Sequence, residues 1–240
     1  MQHPSVRPTT ATESIDAEPG PERINALCDG VVSIALTVLA LEIKLPEHRD
    51  GPLRDALAHQ MPTVLAFLLS FVVIGGFWLA HHRLTRRVQR TSRGFNLANI
   101  GFMLMVVSLN FPTAALARYG DEDPWAVALY AAVVAGTGLM LLAAMIVAMR
   151  QGLFDPAFDR VMQRRALFIV GWPTAVFLSS LALVPFNPLA AMLSWLLAAL
   201  GSLGRTHWRF GAAPALTASS LPGGGDCPIE APDVRHPHRL

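Results

Sequence analysis

The residues best suited to chemistry lie at the edges of apolar stretches. Arg23 and Asp29 open one such stretch, "RINALCDGVVSIALTVLALEIKLP", and Glu42 and Lys44 close it. A second ends in "FWLAHHRL", placing Trp78, His81 and His82 together, and a third begins with Asn96 and Asn99. A carboxylate and a histidine in apolar surroundings could relay protons, so Asp29 and His81 could couple a proton to a solute. Histidines could also hold haem or a metal. Adjacent residues on a helix point about 100° apart, however, so one site rarely takes both His81 and His82. His236 and His238 fall in a polar tail, where a solvated segment is the simpler reading. Cys28 and Cys227 are far apart, fit no metal spacing and do not suggest a structural disulfide. Neither an enzyme nor a resident cofactor or metal is expected. The chemistry within reach is anchoring, or the passage of ions.

The elements that must carry these residues are membrane helices. The 240-residue chain is 52% hydrophobic and 15% charged, with a mean hydropathy of +0.42. Soluble domains usually carry about a quarter charged residues. A net charge of +2, without an aromatic-interleaved basic surface, argues against a nucleic-acid partner. The first twenty residues are polar, include three acids and lack the apolar core of a secretory signal. The first apolar stretch is therefore expected to be retained as a span.

Six spans are expected: residues 24–45, 62–84, 95–116, 125–149, 166–186 and 188–208. Each meets the roughly 20 residues that a crossing helix needs. Residues 1–20 and 209–240, rich in polar residues, Pro and Gly, are expected to be disordered tails around a six-helix domain over 21–208. "HHRLTRRVQRTSR" carries five arginines and "RQGLFDPAFDRVMQRR" four, whereas "RYGDEDP" is mostly acidic. Basic loops favour the cytoplasm, so both termini are expected inside. The mixed loop "EHRDGPLRDALAHQ" then lies outside, and its "LRDALAHQM" is expected to form a short surface helix.

On the first helix, Ile34, Val38, Leu41 and Leu45 share one face, with Ser33 and Thr37 beside it. The charges bracket this apolar middle. Lys44 can snorkel to the interface. Asp29 is deeper and short, so it must face the bundle interior and find a donor there. Arg23, Asp29, His81, His82 and Asn99 all fall at one depth, where a polar cluster would satisfy each of them. Taken alone, a stripe of Ile, Val and Leu means helix or lipid packing.

Three stretches resemble the transmembrane protein 175 family, the potassium channels of lysosomes and their shorter prokaryotic members. "RINALCDGVVSIALTVLALEIKLP" is similar to its first-helix signature, which begins Arg, three residues, Phe-Ser-Asp; Arg23, Asp29, Gly30 and the run from Ile34 to Pro46 match. "SFVVIGGFWLAHHRL" resembles its second helix. "NLANIGFMLMVVSLNFPTAAL" resembles its third, with Asn99 and Pro112 in place. Leu27 stands where the family has an aromatic, and Cys28, a weaker donor, where it has serine.

The resemblance implies an all-α integral membrane protein, six helices per subunit, assembled as a homotetramer with the first helix lining a central pore. It implies a potassium-selective channel whose only bound species besides lipid and its own copies is permeant K+. The implied constriction is Ile34, Thr37, Val38 and Leu41, in place of a carbonyl filter; no "TVGYG" occurs. Arg23, Asp29, His81 and Asn99 match the polar positions that fix the pore helix to its neighbours. The expected location is the plasma membrane of a prokaryote. The alternative is a proton-coupled secondary transporter using Asp29 and His81. Glu42 could draw cations to a pore mouth or could pair with Lys44. Gly75 and Gly76 are expected at close helix contacts, and Pro173 and Pro185 at a kink or end of the fifth span.

Overall fold

In the computed structural model, residues 20–44, 52–120 and 122–203 are described. The expectations for both tails and for Leu45 and Pro46 fall outside them. Every element among the described residues is an α-helix: α1 (Pro21–Ala40), α2 (Leu53–Thr85), α3 (Arg93–Ser108), α4 (Asn110–Tyr119), α5 (Pro124–Arg150), α6 (Arg160–Leu183) and α7 (Pro188–Leu203). Several starts are set by side-chain caps. Ser92 Oγ accepts from the Phe95 amide at 3.3 Å, Asp123 Oδ1 from Trp125 at 2.9 Å and Asp159 Oδ1 from Met162 at 2.7 Å. Such caps satisfy amides that a helix leaves unpaired.

α3 and α4 are two halves of one 27-residue span, Arg93–Tyr119, broken at Leu109. Pro112 has no N–H to offer the Ser108 carbonyl, and its ring crowds that turn. The seven helices thus make six membrane segments. Five are long and apolar enough to cross a bilayer. The sixth, α7, has 16 described residues, about 24 Å at 1.5 Å per residue, and the end expected for it, 204–208, lies outside the described residues.

Three other expectations change. "LRDALAHQM" does not form a separate surface helix; it is the start of α2, which runs 33 residues with Pro62 inside. Pro62 removes only the bond to the Ala58 carbonyl, and the Leu- and Ala-rich flanks carry the helix across it. α1 stops at Ala40, and Leu41 and Glu42 form a turn. There the bonds tighten to i−3 pairs, Leu41 N–H to Val38 O at 3.0 Å and Glu42 N–H to Leu39 O at 3.3 Å. This turn carries Glu42 off the helix to within 3.6 Å of Arg118, not to Lys44. Finally, a side chain at Gly75 or Gly76 would meet open space. The close approach lies elsewhere: a Cβ at Gly138 of α5 would collide with Thr174 of α6. Pro173 sits inside α6, and Pro185 follows its end.

α5 is the axis of the bundle, packed against α2, α3, α4, α6 and α7. Val127, Tyr130, Val134 and Leu141 on it are fully buried. α1 lies at the periphery, against α2, α3 and α4. At one end the two basic loops meet: Gln89 N–H donates to Leu153 O at 2.9 Å and Asp155 N–H to Arg87 O at 2.8 Å. Val88, Leu153, Phe154 and Phe158 are buried beneath this contact. Both arginine-rich loops therefore lie at the same end of the bundle.

Candidate functional site

α1 has two unlike faces. Ile24, Cys28, Val32, Ala35 and Leu39, at helical spacing, are buried against the bundle. On the other side Ile34 is 64% exposed, Val38 39% and Leu41 66%, and Leu27 is also exposed. Thr37 and Ser33 flank this stripe, exposed as well, with their hydroxyls donated to the Ile34 carbonyl at 2.8 Å and the Asp29 carbonyl at 2.7 Å. Gly30 continues the stripe, with open space beside it. None of these side chains is covered by the rest of the described chain. An apolar stripe of this kind, on a helix whose other face is fully used, is a surface for something outside the fold.

The polar residues at the arginine-rich end hold α1 and α3 to α2. Asp29 Oδ1 accepts from Trp78 Nε1 at 2.7 Å. One turn further along α2, His81 Nε2 lies 2.7 Å from Asn99 Oδ1. Asn99 Nδ2 in turn donates to the Phe95 carbonyl at 2.8 Å. The His81 ring stacks on Phe102, with centroids 5.0 Å apart and planes at 3°, and its carbonyl accepts from Thr85 Oγ1 at 3.0 Å. His82 stacks on Trp78 at 5.5 Å. His81 and Asn99 are 1% exposed; away from water each needs the partner it has.

Five polar residues were expected to form one cluster. The structure arranges four of them around two separate hydrogen bonds, and Arg23 joins neither. Arg23 lies on the exposed stripe of α1, about 20° from Ile34 at 100° per residue. It makes no ion pair among the described residues. The separation follows from α2 itself. Trp78 and His82, four apart, face α1, while His81 faces α3.

A second buried polar group lies toward the other end of the bundle, and sequence reasoning missed it. Ser70 Oγ, Thr113 Oγ1 and the Tyr130 hydroxyl join α2, α4 and α5. Ser70 and Thr113 are 2.7 Å apart, and Ser70 Oγ donates to Tyr130 at 3.2 Å. The signal was present: a tyrosine two turns inside an apolar span must find a partner for its hydroxyl. Around the ring, Phe177 and Trp195 stack with centroids 5.3 Å apart. Trp195 Nε1 donates to Ser180 Oγ at 3.1 Å, which ties α7 to α6.

No group of three or more His, Cys, Asp or Glu that could hold a metal occurs among the described residues. The arrangement offers an apolar stripe and a set of internal hydrogen bonds that fix the helix bearing it.

Comparison with known proteins is consistent with this geometry. Residues 23–109 match the family described as "Endosomal/lysosomal potassium channel TMEM175". A potassium channel of Streptomyces collinus is 38% identical over 168 residues, 65% of this chain and 81% of that one. A potassium channel of Chamaesiphon minutus is 39% identical over 147 residues, 60% and 70% of the two chains. The human endosomal/lysosomal proton channel TMEM175 is 33% identical over 114 residues, 42% of this chain and 23% of its own. The crystal structure of a lysosomal potassium-selective channel TMEM175 homolog from Chamaesiphon minutus superposes with a TM-score of 0.66 at 27% identity, covering 78% of this chain and 98% of that one. With a shared fold and 81% of a bacterial potassium channel covered at 38% identity, this chain is an integral membrane protein of the TMEM175 family.

Proposed function

We propose that this protein is a subunit of a potassium-conducting channel. Four copies surround a central axis, and the exposed stripe of each α1 lines the path. Ile34 forms the narrowest ring, with Val38 and Leu41 continuing it outward and the Thr37 hydroxyl beside it. An apolar ring of this size excludes water, and therefore ions, unless it widens. The Asp29–Trp78 bond holds α1 against α2, and the His81–Asn99 bond holds α2 against α3. Together they make the bundle a rigid frame behind a pore helix. The chain sits in the plasma membrane of a prokaryote with both termini in the cytoplasm, the side of the paired arginine-rich loops.

One observation carries the reading: on α1, every large apolar residue from Leu27 through Ile34 and Val38 to Leu41 that the bundle leaves bare falls on one stripe. Bare apolar residues on the other helices can face lipid; the stripe of α1 is edged by exposed Arg23, Ser33 and Thr37, which suits a water-filled path better than hydrocarbon. The test is passive flux through purified protein in liposomes, with potassium and sodium gradients compared. Potassium flux without a proton gradient is the expected result; absence of any cation flux overturns the reading.

Proton passage is a second reading, favoured by the name of the human relative. A pH-sensitive dye in the same liposomes separates the two. Asp29 and His81 are bonded to different partners, Trp78 and Asn99, which weighs against their acting as a direct proton-coupling pair.

A further inference from the structure

At the end of the bundle remote from the paired basic loops, a cavity of about 260 Å³ opens between α1, α2 and α4. Its rim carries Glu42, Lys44, Gln60 and Arg118, and its wall descends past Thr63 to Leu39, Phe67 and Ala114. The residues of α2 set this gradient. Gln60, Thr63 and Phe67, at i, i+3 and i+7, share one face that runs from the helix's beginning into the apolar span. Among the described residues the cavity is polar and net positive at its mouth, with Leu39, Phe67 and Ala114 and the buried Thr113 further in.

Among the described residues the charges at the mouth do not cancel: two cations, Lys44 and Arg118, face one carboxylate, Glu42. Arg118 approaches Glu42 only to 3.6 Å, longer than a charge-assisted hydrogen bond. That is its only charged contact among the described residues, so most of its five donors remain available. A guanidinium fork and an ammonium beside a glutamine amide and a threonine hydroxyl suit a phosphate group. A free phosphate would use the rim alone. The apolar wall below the rim adds a place for hydrocarbon, which only a lipid carries.

We infer that this cavity binds the headgroup of an anionic glycerophospholipid. Its phosphodiester sits between Arg118 and Lys44, hydrogen-bonded by Gln60 and Thr63, and its glycerol and first acyl methylenes lie along Phe67, Ala114 and Leu39. The lipid competes with Glu42 for Arg118, so binding loosens the contact between the turn after α1 and the end of α4.

The experiment is a lipid titration of the full chain in neutral detergent, following the thermal unfolding midpoint against the concentration of phosphatidylglycerol, phosphatidylcholine or inorganic phosphate. The inference expects a saturable rise with phosphatidylglycerol, a weaker one with phosphatidylcholine and none with inorganic phosphate. The double variant Arg118→Gln, Lys44→Gln weakens the phosphatidylglycerol response by about tenfold for each charge-assisted bond lost. Glu42→Gln, which removes the competing carboxylate, strengthens it. The Glu42 variant keeps the test decisive if the double variant fails to fold. Equal responses to the two lipids, an unchanged response in the variants, or a full response to inorganic phosphate would each overturn the inference. The readout is binding rather than conductance, so the result stands apart from the channel assignment.

Discussion

α1 and α5 are both apolar helices in one bundle, and they are used in opposite ways. α5 is buried around most of its circumference: Val127, Tyr130, Ala131, Val134 and Leu141 have no measurable exposure, five other helices pack against it, and only a narrow stripe through Trp125, Leu139 and Ile146 is left bare. α1 spends only one face on the fold, and its other face, from Leu27 to Leu41, carries large apolar side chains that nothing in the chain covers. Most of α5 is explained by the fold of a single subunit, whereas much of α1 meets lipid or another copy of the chain.

If that contrast is right, the largest loss of stability comes from the centre of α5. Tyr130→Ala removes a fully buried ring and one of the two hydroxyl partners of Ser70, and it should cost about 3–5 kcal/mol. Unfolding in mixed micelles of increasing denaturing detergent measures this. A cost under about 1 kcal/mol would mean that α5 is not the structural axis and would erase the distinction from α1.

The next effect tests the frame behind α1. Asn99→Leu leaves His81 Nε2 buried without its partner, at a cost of about 1–3 kcal/mol. The loss belongs to α2 and α3, so the same unfolding measurement should show it while the Trp78–Asp29 bond is retained. That retention is checked by tryptophan fluorescence against an Asp29→Ala control. If Asn99→Leu and Asp29→Ala produce the same spectral change, the two bonds act as one unit and not as two.

A smaller effect separates hydroxyl from ring within α5's surroundings. Ser70→Ala removes the donor to Tyr130 but keeps the packing, for about 1 kcal/mol. It should therefore cost a fraction of what Tyr130→Ala costs. Equal costs for the two substitutions would show that the hydrogen bonds, and not the aromatic packing with Phe177 and Trp195, hold the centre together.

What the sequence revealed divides along the same line. Apolar runs of membrane length give the number of helices, and loop arginines group the loops by side, because both depend on composition alone. The stripe of α1 was legible because a 3.6-residue period is written into its order. The centre was not. Ser70, Thr113 and Tyr130 come from three helices, and no spacing within one stretch shows which hydroxyls will meet. At Gly138, inside a membrane helix with no pattern to single it out, the missing side chain admits Thr174. Gly75 and Gly76, which looked like packing glycines, have nothing against them. Helix contacts depend on facing as much as on residue type. The partner of Glu42 escaped for a related reason: the turn after Ala40 swings it to Arg118 rather than Lys44, and no pattern in the chain announces where a helix tightens and stops.

The smallest effect on folding bears most on function. Ile34 and Ala35 are neighbours with opposite fates: Ile34 is 64% exposed and Ala35 is 2% exposed. Ile34→Ala removes no contact within the bundle core, so it should change unfolding by no more than about 0.5 kcal/mol, the usual range for surface positions. Ala35→Leu, which forces three extra carbons into a filled space, should cost about 1–3 kcal/mol. Potassium flux should respond in the reverse order. Ile34→Ala widens the proposed ring and should raise leak or lower the preference for potassium over sodium, while any folded Ala35→Leu protein keeps its selectivity. If Ile34→Ala instead weakened the oligomer by several kilocalories and left flux untouched, the bare stripe would be a contact between subunits and not the wall of a pore. The same stripe would then still need a partner, but ions would have to pass elsewhere.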